Sequence, residues 1–250
     1  MNPSVGPGRT SPFHWEEEVR PGLRVAFTAA AAGNLALHVG SDAPSVQANR
    51  RLLEAEMGVP VASLRFMSQT HSNRVVLVDG DRTPTRGPDA DGLVSPRGEE
   101  PLAVLVADCV PIILADASRS EGGTGATAAV HAGRAGIGNG ILAEAVRLLT
   151  RAGARDLAAW IGPSVCGSCY EVPEDMMTDL ARDLPMAASR TPQGTPALDL
   201  PTAAREQLRR SGVRVEAVAG NSCTVENTGL FSHRRAPGEG RIAGLVWRAS

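Results

Sequence analysis

Two histidines and one cysteine, set at the ends of apolar runs, have the residue types of a metal site. His71 precedes one run, Cys109 follows a second, and His131 closes a third. Two imidazoles and one thiolate suit zinc, and three protein ligands leave a fourth position for water or substrate, as in catalytic zinc sites. The separations of 38 and 22 residues match no compact zinc finger. Three unrelated structural roles are therefore the alternative.

Other polar residues near these three are candidates to complete such a site. Asp91 and Asp108 can each orient a metal-bound histidine, or each can cap local backbone at a turn. Gln69 and Asn73, on either side of His71, are candidate contacts for a base or a ribose. Each of these four residues has both a functional and a structural interpretation.

Three arginines towards the C-terminus are candidate phosphate ligands. Arg234, Arg235 and Arg241 lie within eight positions of one another. The planar donor fork of arginine matches the geometry of phosphate oxygens. A solvated arginine cluster is the alternative interpretation.

The remaining cysteines and histidines carry weaker signals. Cys166 and Cys169 have the spacing of a redox CxxC motif, but no helical pattern begins there, which weakens that interpretation. Both also fit as small buried hydrophobic residues. We interpret Cys223 as structural and not as a fourth ligand, and His38 and His233 as ordinary polar or packing residues.

The composition excludes several functional classes. The chain has 250 residues, 42% hydrophobic and 21% charged, which is typical of a globular protein with a sizeable core. A net charge of −2 gives no basic footprint for nucleic acid. No apolar run reaches the roughly 18 residues of a membrane span. The 25 basic residues are all arginine, so no Schiff-base lysine is available.

We predict a flexible N-terminal tail over residues 1–20 and a single catalytic domain over residues 21–250. The tail is rich in proline and glycine and has no apolar export signal, so we expect a cytoplasmic protein. A monomer and a homodimer both fit the sequence.

Strands and helices alternate along the chain, which indicates an α/β or α+β domain. Apolar runs predict strands over residues 23–28, 74–78, 102–106, 110–115, 127–130, 158–161, 213–218 and 241–247. Helical periodicity and capping residues predict helices over residues 42–57, 138–151, 173–184 and 201–210. A glycine-rich turn is predicted over residues 131–136.

Eight short sequence blocks, in order, resemble the laccase-domain family, also called the YfiH-like or multicopper polyphenol oxidase family. They are Gln-Thr-His at 69–71, Ala-Asp-Gly-Leu-Val at 90–94, Ala-Asp-Cys-Val-Pro at 107–111, His-Ala-Gly at 131–133, Ile-Gly-Pro at 161–163, Cys-Tyr-Glu-Val at 169–172, Cys-Thr at 223–224, and Phe-Ser-His-Arg-Arg at 231–235 leading to Gly-Arg at 240–241. The resemblance spans about residues 23–247.

The resemblance implies a fold, a metal site and an activity. The fold is an α+β, four-layer α/β/β/α sandwich with mixed sheets. The metal, usually zinc, is held by His71, Cys109 and His131, and Cys169 belongs to the wall near the site. The activity is phosphorolysis of adenosine, inosine, guanosine and methylthioadenosine, with deamination of adenosine in addition. The implied partners are purine nucleosides and phosphate.

Two other functions fit the same residues. Older descriptions of the family imply a laccase-like copper polyphenol oxidase, with copper as the metal, although oxygen reduction by laccases needs several coppers and the chain has five histidines. Some relatives are linked to editing of cell-wall precursors, which fits a metal-free hydrolase with Cys109 as nucleophile and a histidine as base.

The chain departs from the family pattern at two places. Family members often carry Thr-Arg-x-Gly-Gly near the first strand, but here Thr28 is followed by four alanines. The His-Ala-Gly block usually continues with Trp-Arg-Gly, but here it continues with Arg134, Ala135 and Gly136. Arg134 keeps one basic side chain, shifted by one position. These departures predict weaker phosphate binding and leave the metal ligands unchanged.

Overall fold

The computed structural model describes residues 11–78, 80, 87–117, 123–220 and 222–249. Within these residues, the apolar runs form strands and the amphipathic segments form helices. The strands are β1 (Phe13–Arg20), β2 (Leu23–Thr28), β3 (Val75–Leu77), β4 (Gly92–Ser95), β5 (Leu102–Val106), β6 (Val110–Asp116), β7 (Thr127–Ala132), β8 (Leu157–Ile161), β9 (Ala188–Arg190), β10 (Pro196–Leu198), β11 (Arg214–Glu216) and β12 (Ile242–Arg248). The helices are α1 (Ala43–Met57), α2 (Arg134–Gly138), α3 (Ile141–Arg151), α4 (Glu174–Asp183) and α5 (Leu200–Arg210).

The strands form two large sheets and a separate pair. One sheet has four antiparallel strands in the order β1-β2-β12-β5. The other has six strands in the order β11-β8-β6-β7-β4-β3, in which the outer pairs β11–β8 and β4–β3 are parallel and the inner pairs are antiparallel. Strands β9 and β10 pair with each other. This arrangement confirms the predicted α+β class with mixed sheets.

Three hydrophobic cores stack the elements into four layers. Side chains alternate between the two faces of a strand. Along β6, Ile112 and Leu114 pack with residues of α3 and α5, whereas Ile113 packs between the two sheets. Along β5, Val104 packs between the sheets and Leu105 packs towards α1. Both faces of each sheet are therefore covered, which explains the continuous apolar runs. The layer order confirms the predicted α/β/β/α sandwich.

Helix α1 begins and ends where local sequence signals place it. The Asp42 carboxylate accepts a hydrogen bond from the Ser45 N–H at 2.8 Å, which caps the first turn. Gly58 ends the helix in the left-handed conformation, with φ of 69°. The indole of Trp247 donates to the Met57 carbonyl at 2.9 Å, so the C-terminal end of the helix is joined to β12.

The predicted N-terminal tail is wrong for its second half. Phe13–Arg20 form β1, an edge strand that pairs antiparallel with β2. A salt bridge of 2.9 Å between Arg24 and Glu16 joins the two strands. The first ten residues of the predicted tail lie outside the described residues. Three consecutive glutamates at 16–18 hide the strand from an apolar-pattern search, because an edge strand exposes its polar side chains to water.

The region after β7 also differs from the prediction. The expected glycine-rich turn contains the short helix α2, and α3 begins at Ile141 instead of Gly138. Strands β4, β9 and β10 were not predicted. In the described part of the chain, no helix has the length and apolar character needed to cross a membrane.

Candidate metal centre

The order of the strands brings the three predicted ligands to one edge of the six-stranded sheet. Strand β7 lies between β4 and β6 and is antiparallel to both, so its C-terminal end meets the beginnings of its neighbours. His131 lies at that end of β7, Cys109 immediately precedes β6, and His71 precedes β3, which is parallel to β4. Residues that are distant in sequence therefore meet in one cluster.

The distances within this cluster fit a tetrahedral zinc ion. The Cys109 Sγ lies 3.7 Å from the His71 Nε2, and the two imidazole rings meet edge to face with centroids 4.7 Å apart. The ligand atoms of His71, Cys109 and His131 all lie within 4.8 Å of one another. Zinc–sulfur and zinc–nitrogen bonds of ordinary length at tetrahedral angles place such atoms about 3.3–3.6 Å apart. The three side chains need little movement to hold an ion.

Asp91 organises two of the three ligands. It is fully buried and accepts a hydrogen bond of 2.8 Å from the His131 Nδ1, which leaves the Nε2 of that ring for the cluster. Its carboxylate also accepts the backbone N–H groups of His71 at 3.0 Å and Ser72 at 2.6 Å. These bonds hold His71 at a φ of 60°, a left-handed conformation that costs a non-glycine residue about 1–2 kcal/mol.

The charges of the cluster suit a divalent cation. Burial alone raises the pKa of the Cys109 thiol, but hydrogen bonds from His131 and His71 outweigh it and lower the pKa to about 6. Burial alone lowers the pKa of His131, whereas Asp91 and Cys109 raise it to about 9. Without a metal, these shifts favour a thiolate at Cys109 and an imidazolium at His131, beside the Asp91 carboxylate. A divalent cation that displaced the His131 proton would balance this negative charge.

Gly133 leaves room for the cluster. A Cβ atom at this position would lie 2.9 Å from the His71 Cδ2 and 3.2 Å from the Cys109 Sγ, closer than van der Waals contact permits. Gly133 is also the residue that precedes α2. The glycine of the His-Ala-Gly block is thus required by close approach of the backbone to two candidate ligands.

Unlike Asp91, Asp108 accepts hydrogen bonds from the C-terminal part of the chain. Its carboxylate accepts the Thr224 hydroxyl at 2.6 Å and the Arg234 backbone N–H at 2.7 Å. Its own backbone has a φ of 83°. The expectation that it orients a metal-bound histidine is therefore wrong: Asp108 anchors two C-terminal loops beside the cavity.

The side chains of Gln69 and Asn73 are already engaged with backbone. The amide of Gln69 donates to the Leu105 carbonyl at 2.6 Å and accepts the Leu105 N–H at 2.9 Å. The amide of Asn73 donates to the Asn139 carbonyl at 2.9 Å. The expected base or ribose contacts are not supported, because Gln69 fixes β5 at the edge of the cavity and Asn73 lies on the surface.

A cavity of about 530 Å³ opens from the three ligands. Tyr170 and Arg234 form part of its wall, with the guanidinium 5.0 Å from the centre of the phenol ring. Arg241 also lines the cavity, and burial lowers its pKa. Arg234 and Arg241 form a cationic side of the cavity, and His38 and His233 also line the cavity. The two histidines interpreted as ordinary packing residues thus belong to the cavity wall.

Two further predicted contacts are not among the described residues that line the cavity. Arg134 begins α2 and is half-buried, and its charge acts on Tyr170 in the cavity wall. Cys169 lies outside the cavity, where its thiol donates to the Glu226 carboxylate at 3.4 Å. Its neighbour Tyr170 lines the cavity instead. The block at 169–172 therefore contributes to the cavity wall as predicted, but residue type alone does not show that Tyr170 and not Cys169 lines it.

The chain is similar to a protein family and to several named relatives. Residues 24–249 match the model of a family described as multi-copper polyphenol oxidoreductase laccase. A Mycobacterium tuberculosis protein named purine nucleoside phosphorylase is 44% identical over 216 residues, covering 86% of this chain and 84% of the relative. A protein of the same name from Streptomyces coelicolor is 42% identical over 216 residues, covering 86% and 87%.

Solved structures share the fold over nearly their whole length. YlmD from Geobacillus stearothermophilus superposes with a TM-score of 0.81 at 28% identity, covering 96% of this chain and 100% of that one. The hypothetical protein YfiH from Bacillus licheniformis gives a TM-score of 0.77 at 28% identity, covering 91% and 93%. With the family model matched almost from end to end, this chain belongs to the multi-copper polyphenol oxidoreductase laccase family.

Proposed function

We propose that the chain is a zinc-dependent purine nucleoside phosphorylase whose active site is the cluster of His71, Cys109 and His131. One observation carries the proposal: three side chains of the types that bind catalytic zinc lie within 4.8 Å of one another and line a cavity whose wall also contains Arg234 and Arg241. The names of the relatives from Mycobacterium and Streptomyces support the same activity.

The wall of the cavity offers separate groups for the two substrates. Phosphorolysis requires a phosphate oxygen to form a bond with the ribose C1′ while the bond from C1′ to the purine nitrogen breaks. Arg234 and Arg241 supply planar donor forks that can hold the phosphate dianion. Tyr170 offers an aromatic face of the kind on which a purine can stack. The departing purine takes up one proton, and the cavity wall contains the imidazoles of His233 and His38 beside the two arginines.

Zinc held by His71, Cys109 and His131 would supply a Lewis acid to the cavity. Asp91 contributes by fixing the tautomer and orientation of His131 through the 2.8 Å hydrogen bond to Nδ1. We propose deamination of adenosine as a second activity of the same cavity, in which water adds to the purine C6 and ammonia leaves. Adenosine, inosine, guanosine and methylthioadenosine are the proposed nucleosides.

Purified protein incubated with inosine and phosphate tests the proposal. We expect release of hypoxanthine that depends on phosphate and is lost in His71→Ala. The matched control is His14→Gln, because His14 lies on β1 and outside the cavity. Adenosine without phosphate measures deamination as formation of inosine. Metal bound at the cluster with no turnover of any purine nucleoside would contradict the proposal.

The copper oxidase and the cysteine hydrolase make different predictions. Among the described residues, the second group with metal-ligand spacing contains no histidine, which does not favour a multicopper oxidase. A hydrolase remains compatible with the 3.7 Å distance between Cys109 and His71. An alkylating agent distinguishes it, since a coordinated thiolate is shielded. Modification of Cys109 in the metal-free protein but not in the metal-loaded protein, measured by mass spectrometry, supports the metal site. Equal modification of both forms supports the hydrolase.

A further inference from the structure

A second cluster of metal-ligand residues lies outside the cavity. The Sγ atoms of Cys166, Cys169 and Cys223 and a carboxylate oxygen of Glu226 all lie within 4.8 Å of one another. The Cys169 Sγ and the Glu226 Oε1 are 3.4 Å apart. None of these four residues has a role in the proposed activity.

The four residues come from two short turns with the same spacing. Cys166 and Cys169 are three positions apart, and the Cys169 and Tyr170 N–H groups donate to the Cys166 carbonyl at 3.0 and 3.1 Å. The Ser168 N–H also donates to the Cys166 sulfur. Cys223 and Glu226 are also three positions apart. Each turn therefore directs two ligand groups to the same side of the chain.

A backbone bridge holds the two turns together. The Ser164 N–H donates to the Ser222 carbonyl at 2.9 Å, and the Thr224 N–H donates to the Ser164 carbonyl at 3.1 Å. The Asn227 N–H closes the second turn on the Cys223 carbonyl at 2.9 Å. These backbone hydrogen bonds keep the two turns side by side, so that their four ligand side chains extend from neighbouring segments.

We propose that Cys166, Cys169, Cys223 and Glu226 bind a second, structural zinc ion. Tetrahedral zinc with ordinary bond lengths places a sulfur and an oxygen ligand about 3.5 Å apart, close to the separation of Cys169 and Glu226. Four protein ligands leave no open position, which is the arrangement of structural zinc sites. Paired ligands with two intervening residues are typical of such sites.

A redox disulfide explains less of this geometry. A CxxC redox pair needs Cys166 and Cys169 only, and its reactivity depends on a helix N-terminus or a nearby cation. The residues from 166 to 170 form a turn and not a helix. The pair also does not account for a third sulfur and a carboxylate at ligand distance. Three sulfurs and one oxygen around a single point are accounted for by a cation.

The second ion would brace one wall of the cavity. The first turn lies in the segment after β8, in which Val165 and Tyr170 line the cavity. The second turn follows β11, and Thr224 within it donates to Asp108. An ion shared by the two turns joins these segments from outside, so its function is to position the wall and not to react.

Metal analysis of the full-length protein tests the proposal. Protein produced with zinc in the medium and purified without chelator is expected to hold two zinc ions per chain. The double variant Cys166→Ser/Cys223→Ser should hold one zinc ion, at the cavity cluster. Adding His71→Ala to that double variant should remove this ion as well. His71→Ala alone should keep the ion of the second cluster. Because this count does not use turnover, failure of the proposed activity leaves the test intact. One zinc in the wild type and none in His71→Ala would overturn the proposal.

Cobalt provides a second measurement if the double variant does not fold. His71→Ala protein loaded with cobalt should show strong thiolate-to-cobalt charge-transfer absorption and tetrahedral d–d bands, because three sulfurs remain. Glu226→Gln, which changes one exposed ligand, should weaken cobalt binding and keep the charge-transfer band. A Cys166–Cys169 disulfide found by mass spectrometry in freshly purified protein would contradict the proposal.

Discussion

The two clusters show two ways in which a chain can gather metal ligands. In the cavity, His71, Cys109 and His131 come from three distant segments, and the strand order β6-β7-β4-β3 brings them together. Outside it, two turns each supply two ligands three residues apart. The first cluster has three candidate ligands and lines the cavity, whereas the second has four, none of which is among the described residues that line it. The sheet edge supplies three candidate ligands, which would leave one coordination position for water or substrate. The paired turns supply four, which would occupy every position of a tetrahedral ion.

The clusters also differ in what supports them without a metal. Asp91 accepts hydrogen bonds from His71, Ser72 and His131, and it is fully buried in the packed end of the sheet. The turns of the second cluster are held by backbone hydrogen bonds, and Glu226 is exposed. We therefore expect the first cluster to be organised before metal binds, and the second to gain order from its metal.

Removing both metal ions should show the largest difference in behaviour between the two clusters. We expect a chelator to abolish phosphorolysis, while amide hydrogen exchange at β7 and residues 70–73 changes little. Exchange over residues 164–170 and 222–227 should rise, because the second cluster loses its bridging ion. Mass-spectrometric hydrogen exchange of native and chelated protein measures both regions at once. Equal loss of protection in the two regions would show that they do not differ in this respect.

Asp91→Asn should have the next largest effect. Asparagine keeps the shape but loses the charge and one acceptor, so His131 and the loop at 70–72 are held less firmly. Loss of such a partner of a metal-binding histidine costs about 10–100-fold in metal affinity or activity. Zinc affinity by competition with a chromogenic chelator checks this. Asp108→Asn is the matched control, with zinc affinity unchanged and KM altered, because its carboxylate binds Thr224 and the Arg234 backbone.

Gly133→Ala tests how closely the backbone approaches the cavity cluster. The added methyl group would meet the His71 ring and the Cys109 sulfur, so one of them must move. We expect about a tenfold loss of zinc affinity, at the lower end of the range for disturbed ligand orientation. Gly138→Ala is the control, since its Cβ would meet only Leu180 at an ordinary 3.4 Å. Unchanged zinc binding in Gly133→Ala would mean that the ligands are less restrained than the contacts indicate.

Local chemistry explains what the sequence could predict of the fold. Asp42 and Gly58 mark the ends of α1 because capping depends on residues a few positions apart. Strands buried on both faces stand out as apolar runs. Strand β1 was missed because its pairing with β2 is what stabilises it, and its exposed glutamates resemble those of a loop.

The candidate site was predictable in its ligands and not in its surroundings. Its three ligands stand beside apolar strands and in ordered family blocks, so residue type and position were informative. The roles of Asp91 and Asp108 depend on which side chains each meets across the fold, and their sequence contexts are alike. Likewise Glu226 lies 57 residues after Cys169, so no local pattern joins the CxxC turn to its other two candidate ligands.

The smallest predicted effect concerns the arginines on the cationic side of the cavity. Arg241→Lys keeps the charge but removes the planar fork, so we expect KM for phosphate to rise about fivefold, equivalent to roughly 1 kcal/mol for one hydrogen bond. Arg134→Lys should change it less, because Arg134 does not line the cavity. Initial rates at varied phosphate and saturating inosine measure both. A larger effect at Arg134 would place phosphate beside α2, at the position where the family pattern carries its own arginine, and would move the anion site away from Arg234 and Arg241.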